Sequence, residues 1–313
     1  LTDPAALAPA GDLSAAPMPP ERGAGSGMFP WKRLLAYALP WIPNNILLYV
    51  IWRQSETLLL GIYRTREEAG LFDLAYKLPQ MVLEFVPGAV YPLVLAGFAE
   101  TATRAKERMP EVIATFYRLL FFVVAPLSVM GMAMGDLLLR TMYGADMAGA
   151  GIYCQAFFLI FALSFFGTPL SMTVYIVEKV WINLVLNIAY GVVTIGLDLI
   201  LIPRYGLLGA TIPTGIVTAL TPIVRYLVAR RYMSGITIPW RFIGRCYLAS
   251  LPLALLFWAK QWCHSPWQTA LLLLAAAVAT LLSYRLFHVL GREERNFLSR
   301  SRLPARHLIL RLL

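Results

Sequence analysis

Long apolar runs separated by short polar breaks fill the chain from about residue 34 to residue 290. Most of these runs reach or approach the length of roughly 20 helical residues that crosses a hydrocarbon core. They are continuously apolar and lack the alternation of membrane β-strands, so they predict α-helices that satisfy their own backbone hydrogen bonds. The pattern therefore predicts an all-α integral membrane protein with about eight spans, at residues 34–62, 71–98, 112–138, 151–176, 181–202, 207–229, 243–260 and 267–289.

Composition and charge agree with a membrane protein and give its orientation. Hydrophobic residues make up 59% of the chain and charged residues only 14%, and the net charge is +10. In a soluble chain that charge would suggest nucleic acid, but here most Lys and Arg lie in the breaks and the tail, where they orient helices and meet anionic lipid. We expect no nucleic-acid partner. With both ends placed in the cytoplasm, the outer breaks hold few basic residues, namely Arg64, Arg66, Arg140, Arg204 and Lys260.

The two ends of the chain differ from the apolar part. Residues 1–30 are rich in Ala, Pro and Gly and predict a disordered arm or a linker between two lobes. Residues 291–313 form a basic tail that mixes Arg with Leu, Ile and Phe, which fits either an interfacial amphipathic helix or a solvated tail. Because the chain begins with Leu1 and not Met, we expect it to belong to a longer protein.

The sequence carries no enzyme signature. His264, His288 and His307 fall in a loop, at a span end and in the tail, and none has a carboxylate or thiol at metal-binding spacing. The three cysteines lie far apart on different segments, and no glycine-rich phosphate loop is present. The sequence therefore predicts no enzymatic activity, no cofactor and no metal site.

Polar side chains form a stripe along each of the first two predicted spans. Ionisable groups are costly within a membrane and tend to face a bundle interior or a wet cavity. Helical spacing places the members of each stripe on one face of their helix. The stripes consist of Asn45, Tyr49, Arg53 and Glu56 on the first span, and of Asp73, Lys77, Gln80 and Glu84 on the second.

Two interpretations of these stripes remain open. In the structural one, Arg53 and Glu56 form an ion pair, while Asp73 and Lys77 lie near the outer interface, where a lysine can snorkel. In the functional one, both stripes line a hydrophilic cavity, and Arg53 and Lys77 are available to an anionic substrate. Glu56 and Glu84 then balance the charge of the cavity or bind a coupling cation or proton.

Two further features concern motion and packing. Pro87 and Gly88, near the middle of the second span, predict a bend, since proline removes a backbone donor and clashes one turn back. Asp198 lies in the fifth span with Asn183 and Asn187, and we expect it to form interhelical hydrogen bonds.

An ordered set of motifs resembles the second lobe of oligosaccharide flippases, the polysaccharide transporter family within the multidrug/oligosaccharidyl-lipid/polysaccharide exporter superfamily. The charged pair and apolar run of residues 53–61, RQSETLLLG, are followed by EAGLFDLA at residues 68–75. Phe72 replaces the usual tyrosine there, and Glu56 stands where the family often has aspartate. The further matches are Pro92, Tyr143–Gly144, Gly167 with Pro169, Glu178–Lys179, Asn183, Asn187, and IPRYGLLGA at residues 202–210.

The resemblance implies a two-lobe transporter in the bacterial inner membrane. Such proteins move a polyprenyl-pyrophosphate-linked oligosaccharide, for O-antigen, exopolysaccharide or capsule, to the periplasmic leaflet by alternating access. This chain resembles one six-helix lobe, residues 31–232, followed by two additional helices, residues 233–290. A first lobe would then precede it or come from a partner. Arg53, Glu56, Lys77, Gln80 and Glu84 are the candidate substrate-binding residues.

Four alternatives remain at this point. A lipid II flippase and a multidrug cation antiporter belong to the same superfamily, although a cation exporter should have an acid-dominated cavity. A membrane polysaccharide polymerase or ligase would act on the same lipid-linked sugars, but usually through a large outer loop, and the outer breaks here are short. A scaffold without transport activity is expected if no first lobe exists.

Overall fold

The fold is helical throughout the part of the chain that the computed structural model describes, which comprises residues 35, 39, 42–46, 55–104, 106–176, 180–233, 235–263, 265–287 and 289. Residues 42–46 are helical and precede α1. The helices are α1 (Ser55–Tyr63), α2 (Arg66–Arg104), α3 (Met109–Tyr143), α4 (Gly151–Ser164), α5 (Thr168–Ile176), α6 (Val180–Tyr205), α7 (Leu207–Tyr232), α8 (Trp240–Ser250), α9 (Leu256–Ala259) and α10 (Pro266–Leu286).

Six helical segments in the described residues are long and apolar enough to cross a membrane. They are Met109–Tyr143, Gly151–Val174, Trp181–Tyr205, Leu207–Tyr232, Trp240–Trp262 and Pro266–Leu286. The prediction of a helical multi-pass membrane protein is confirmed. The second predicted span lies within α2, a continuous helix of 39 residues. Much of the first predicted span lies outside the described residues, as do residues 1–30 and 291–313, so the number eight stays a prediction.

Aromatic side chains from α2 and α4 form the centre of the core. Phe72 and Phe157 meet edge to face with their ring centroids 5.4 Å apart, and Tyr76 meets Phe161 in the same way at 4.9 Å. Farther along the two helices, the hydroxyl of Tyr91 on α2 contacts Met172 Sδ on α5 at 3.6 Å. The contact partners of successive residues on α2 also follow one another along α4 and α5. The helix α2 therefore runs parallel to α4 and α5.

The last two spans pack on α3. Phe122 of α3 meets Tyr284 of α10 with ring centroids 5.0 Å apart, and the Tyr284 hydroxyl donates to the carbonyl oxygen of Phe122 at 3.0 Å. On α8, Phe242 and Cys246 are buried in the same cluster. The segment from α8 to Trp262 passes through two short 3₁₀ turns, the first beginning just before Pro252. These helices therefore extend the bundle on one side of α3.

Large apolar side chains cover much of the outer surface of the bundle. Examples on α6 and α10 are Val192, Ile200, Leu271 and Leu282, which are all exposed. Water would disfavour so much contiguous apolar surface, whereas lipid tails solvate it at no cost.

Candidate functional site

A sharp turn at Gly206 joins α6 and α7. Gly206 has a φ of +56°, a conformation that side-chain-bearing residues rarely adopt. A Cβ at Gly209 would clash with the backbone of Leu201, so glycine is needed there for the two helices to approach each other. The turn therefore makes α6 and α7 a closely packed antiparallel pair.

This pairing places Asp198 and Thr214 at the same level. The two residues are equally far in sequence from Gly206, one on each helix, and both are buried. The Thr214 hydroxyl also lies 3.1 Å from Oε1 of Glu56, which brings in α1 as a third helix. Since α1 also packs against α6, the buried carboxyl groups of Glu56 and Asp198 belong to the same region of the interior. We call Glu56, Asp198 and Thr214 the buried acid site.

Oxygen acceptors outnumber proton donors in the buried acid site. Ser55 Oγ donates to Oε2 of Glu56 at 3.0 Å, and the Thr214 hydroxyl is within reach of both Glu56 and the carbonyl oxygen of Ala210. A hydroxyl has one proton, so it can serve only one of those acceptors at a time. Asp198 is 0% exposed, and neither of its carboxyl oxygens has a hydrogen-bond partner among the described residues. A buried carboxylate is costly unless it is paired or protonated.

The expectation that Asp198 forms interhelical hydrogen bonds is therefore wrong. That role falls to Asn187, one of its two predicted neighbours, whose Nδ2 donates to Oδ1 of Asn44 at 2.8 Å. Asn44 belongs to the helical stretch before α1, so this bond also ties α6 to the first predicted span. Two further polar residues of α6, Asn183 and Thr194, are also buried.

The charged stripe of α2 lies on the outer face of the described helices. Lys77 Nζ pairs with Asp73 Oδ2 at 2.6 Å, and the Lys77 side chain is 54% exposed. One turn farther on, the Gln80 amide donates to Oε1 of exposed Glu84 at 3.2 Å. All four partners belong to α2 itself, and each pair is separated by four residues, one helical turn. The α2 stripe (Asp73, Lys77, Gln80 and Glu84) is thus satisfied within its own helix and open to its surroundings.

Ring contacts show how deep the α2 stripe lies. Tyr76, next to Lys77, packs on Phe161, which is near the middle of the Gly151–Val174 span. Tyr91, beyond Glu84, contacts Met172, close to the end of that span. The stripe therefore runs through the depth at which α4 and α5 cross the bilayer, and Lys77 lies close to mid-span.

The structure separates the sequence-predicted site residues into two groups. Glu56 is buried with α6 and α7, whereas Lys77, Gln80 and Glu84 share the exposed face of α2. Arg53 lies outside the described residues. The sequence analysis did not link Thr214 or Asp198 to Glu56. Asp198 and Thr214 are equally far in sequence from Gly206 in the IPRYGLLGA turn, and this spacing could have predicted that they face each other.

The predicted bend region lies within continuous α2. Both Pro87 and Gly88 belong to the helix, and a Cβ built at Gly88 meets no atom within 4 Å. Among the described atoms, no neighbour would contact a larger side chain at position 88. The glycine is therefore not required for close packing of another described helix on α2.

Comparison with known proteins finds a similarity to one family in the first part of the chain. Residues 27–150 match the model of a family described as polysaccharide biosynthesis protein. No curated protein and no solved structure matches the chain significantly. The family match covers α1, α2 and α3, and it confirms the resemblance to polysaccharide transporters. Taken with the six membrane-length helices, it identifies a multi-pass membrane protein that is related to polysaccharide biosynthesis and similar to that family over residues 27–150.

Proposed function

We propose that this chain is the second lobe, with two additional helices, of a flippase for lipid-pyrophosphate-linked oligosaccharides in the bacterial inner membrane. The substrate is a repeat unit of a surface polysaccharide, carried from the cytoplasmic to the periplasmic leaflet by alternating access. No covalent bond changes in this process, so the protein is a transporter and not an enzyme. Lipid II and cationic drugs are the alternative substrates within the superfamily.

The α2 stripe is the observation that carries the proposal. A sugar chain and a pyrophosphate cannot cross hydrocarbon unaided, because each unsatisfied polar group costs several kcal/mol there. Lys77 and Glu84 lie on an exposed face at membrane depth, and charges at this depth normally face a water-filled cavity. Substrate sites in transporters commonly lie at such depth between two repeats. A face of this kind is what the first lobe would cover to enclose a polar path.

Each member of the path has a distinct role in the proposal. Arg53 holds the pyrophosphate, because its planar guanidinium matches two phosphate oxygens. Lys77 provides a second positive charge farther along, and Gln80 and Glu84 offer hydrogen bonds to sugar hydroxyls. The polyprenyl chain stays in lipid through a lateral gap. Outward movement of a negative headgroup is favoured by an inside-negative potential, by about 2.3 kcal/mol per charge per 100 mV.

The buried acid site provides the coupling in this proposal. Glu56 and Asp198 are out of reach of a bulky substrate, since both are buried between α1, α6 and α7. A monovalent cation or a proton neutralises one of the two carboxylates when it enters. Neutralisation removes the repulsion between the two carboxylates and lets α1 pack more closely on α6 and α7. Entry of the cation would thereby bias the position of α1, which begins two residues after Arg53 in the sequence.

Deletion of the gene in its native host tests the transport function. A flippase mutant loses surface polysaccharide and accumulates lipid-linked repeat units on the cytoplasmic side. A polymerase mutant still displays single units outside, and that result would reject the flippase. Complementation with the full-length gene is the necessary control.

Substitution of Arg53 in the complete transporter tests its proposed contact with the pyrophosphate. Arg53→Ala should abolish surface polysaccharide at normal protein level. Arg53→Lys keeps the charge but loses the planar fork, so we expect partial activity. Full export by Arg53→Ala would remove this residue from the mechanism.

A further inference from the structure

A charged cavity lies at the C-terminal end of α3, and none of its lining residues belongs to the buried acid site or the α2 stripe. It has a volume of about 460 Å³ and opens between the C-terminal end of α3, the 3₁₀ turn Lys260–Trp262 and the start of α10. Its polar lining includes Asp136, Arg140, Thr141, Lys260, Ser265 and Thr269. We call it the α3–α10 cavity.

An ion pair fixes the positive charge inside the α3–α10 cavity. Asp136 Oδ1 accepts hydrogen bonds from Lys260 Nζ at 2.7 Å and from Gln155 Nε2 at 3.1 Å. Lys260 Nζ also lies 4.2 Å from the centre of the Phe257 ring. An ammonium group has three N–H donors, and the contact with Asp136 uses one of them. Lys260 is therefore held in one place, mostly buried, with capacity for another acceptor.

Arg140 adds a surplus positive charge at the mouth of the cavity. It follows Asp136 by one helical turn on α3, lines the cavity and is exposed. Asp136 offsets the charge of Lys260, so the Arg140 guanidinium leaves the cavity with one net positive charge among its Asp, Arg and Lys side chains. The planar fork of an arginine beside the point charge of a lysine suits a phosphate group.

The depth of the cavity indicates where the phosphate comes from. Three membrane-length segments end or begin around it, at Tyr143, Trp262 and Pro266. Trp262 and Trp267 are exposed on the same side, and exposed tryptophans mark the level of the lipid headgroups. Below them, α10 continues with an exposed apolar surface that can accompany acyl chains.

We propose that the α3–α10 cavity binds the phosphate of an anionic phospholipid headgroup. Arg140 and Lys260 contact the phosphate oxygens, and the acyl chains lie along α10. The site goes beyond the proposed transport function, since neither the α2 stripe nor the buried acid site contributes to it. It anchors the hairpin of the last two predicted spans at the membrane interface.

Native mass spectrometry of the purified full-length protein tests the proposal. Phosphatidylglycerol should be retained on the protein and phosphatidylcholine should not. Arg140→Gln should weaken retention of phosphatidylglycerol roughly fivefold, the effect of removing one basic group at a charged membrane surface. Arg204→Gln is the matched control, because Arg204 is an exposed arginine at the corresponding end of α6 and does not line the cavity.

The possible outcomes separate the sources of phosphate. Equal retention by Arg140→Gln and Arg204→Gln would overturn the site, provided that both variants melt at the wild-type temperature. Inorganic phosphate is the second probe. If it displaces phosphatidylglycerol at comparable concentration, the lipid assignment is wrong and the cavity binds a free anion. If phosphatidylglycerol stays bound in the presence of inorganic phosphate, the cavity recognises the complete lipid and the proposal is supported.

Discussion

Thr214 on α7 donates a hydrogen bond of 3.1 Å to the carboxylate of Glu56 on α1. This contact joins α1 to α7, the last helix of the predicted lobe, across 158 residues of sequence. Asp198 lies at the same level on α6 without a hydrogen bond to any described residue. A cation that enters between the two carboxylates would thus act on three helices at once.

Removal of the Thr214 hydroxyl tests the buried acid site. A hydrogen bond to a charged group contributes about 1.5–3 kcal/mol and stabilises the Glu56 carboxylate before a cation enters. Its loss in Thr214→Val should therefore lower the cation concentration for half-maximal transport roughly tenfold or more. Thr214→Ser retains the hydroxyl and should behave like the wild type. The measurement is transport rate against sodium concentration and against pH in proteoliposomes.

Thr211→Val is the matched control for that experiment. Thr211 lies one turn earlier on α7, is also buried, and its hydroxyl donates only to the carbonyl oxygen of Leu207 in its own helix. We expect an unchanged cation dependence. If Thr211→Val and Thr214→Val change the cation concentration for half-maximal transport equally, the effect comes from packing of α7 and not from the bond to Glu56.

Neutralisation of Asp198 should separate stability from function. A buried carboxyl group without a partner destabilises the fold when it is charged, so Asp198→Asn should leave the melting temperature unchanged or raise it. The same variant should lose the cation dependence of transport, because one of the two carboxylates is gone. A large drop in melting temperature together with normal coupling would contradict the assignment.

The ion pair on α2 should be dispensable for stability. Exposed pairs one helical turn apart contribute about 0.3–0.5 kcal/mol, so Lys77→Gln should barely change thermal unfolding. Transport should fall strongly, because a positive charge on the path is lost. Arg64→Gln is the control, since Arg64 forms the same type of pair with Glu68 at 3.2 Å near the start of α2. Similar transport rates in the wild type, Lys77→Gln and Arg64→Gln would exclude a role for Lys77 in transport.

The bend predicted at Pro87 and Gly88 can be tested by stiffening α2. Gly88→Ala introduces no clash, since no atom lies within 4 Å of the added Cβ, and alanine favours helix by about 1 kcal/mol over glycine. We expect slower transport with equal or higher stability. Gly70→Ala is matched, because Gly70 is in the same helix and is equally unobstructed. If Gly88→Ala and Gly70→Ala both transport at the wild-type rate, transport does not require a bend at Gly88.

Hydropathy and helical periodicity were sufficient to predict the helical membrane fold. The stripe at Asp73, Lys77, Gln80 and Glu84 was predicted on one face, and the structure places all four residues there. Residues three or four positions apart lie on the same face of a helix, so this grouping can be read directly from the sequence. The motifs of residues 53–75 also agreed with the family match.

Packing between distant helices could not be read from the same patterns. Glu56 and Lys77 were grouped as candidates for substrate contact, but Glu56 faces α6 and α7, while Lys77 is open on α2. Asp198 was expected to form hydrogen bonds and forms none. Which face of a helix meets which neighbour depends on the close approach at Gly206 and Gly209, a three-dimensional constraint that periodicity does not contain.

The central claim is that the α2 stripe lines a water-accessible path at membrane depth. Thiol labelling in intact cells tests it most directly, with a charged, membrane-impermeant reagent and a background in which the partly exposed Cys263 is replaced by serine. Gln80→Cys should react and should be protected by substrate. Phe85→Cys should not, since Phe85 is an apolar residue, 77% exposed, that helical spacing places on a different side of α2 from Gln80. No reaction at position 80, or equal reaction at positions 80 and 85, would contradict the account.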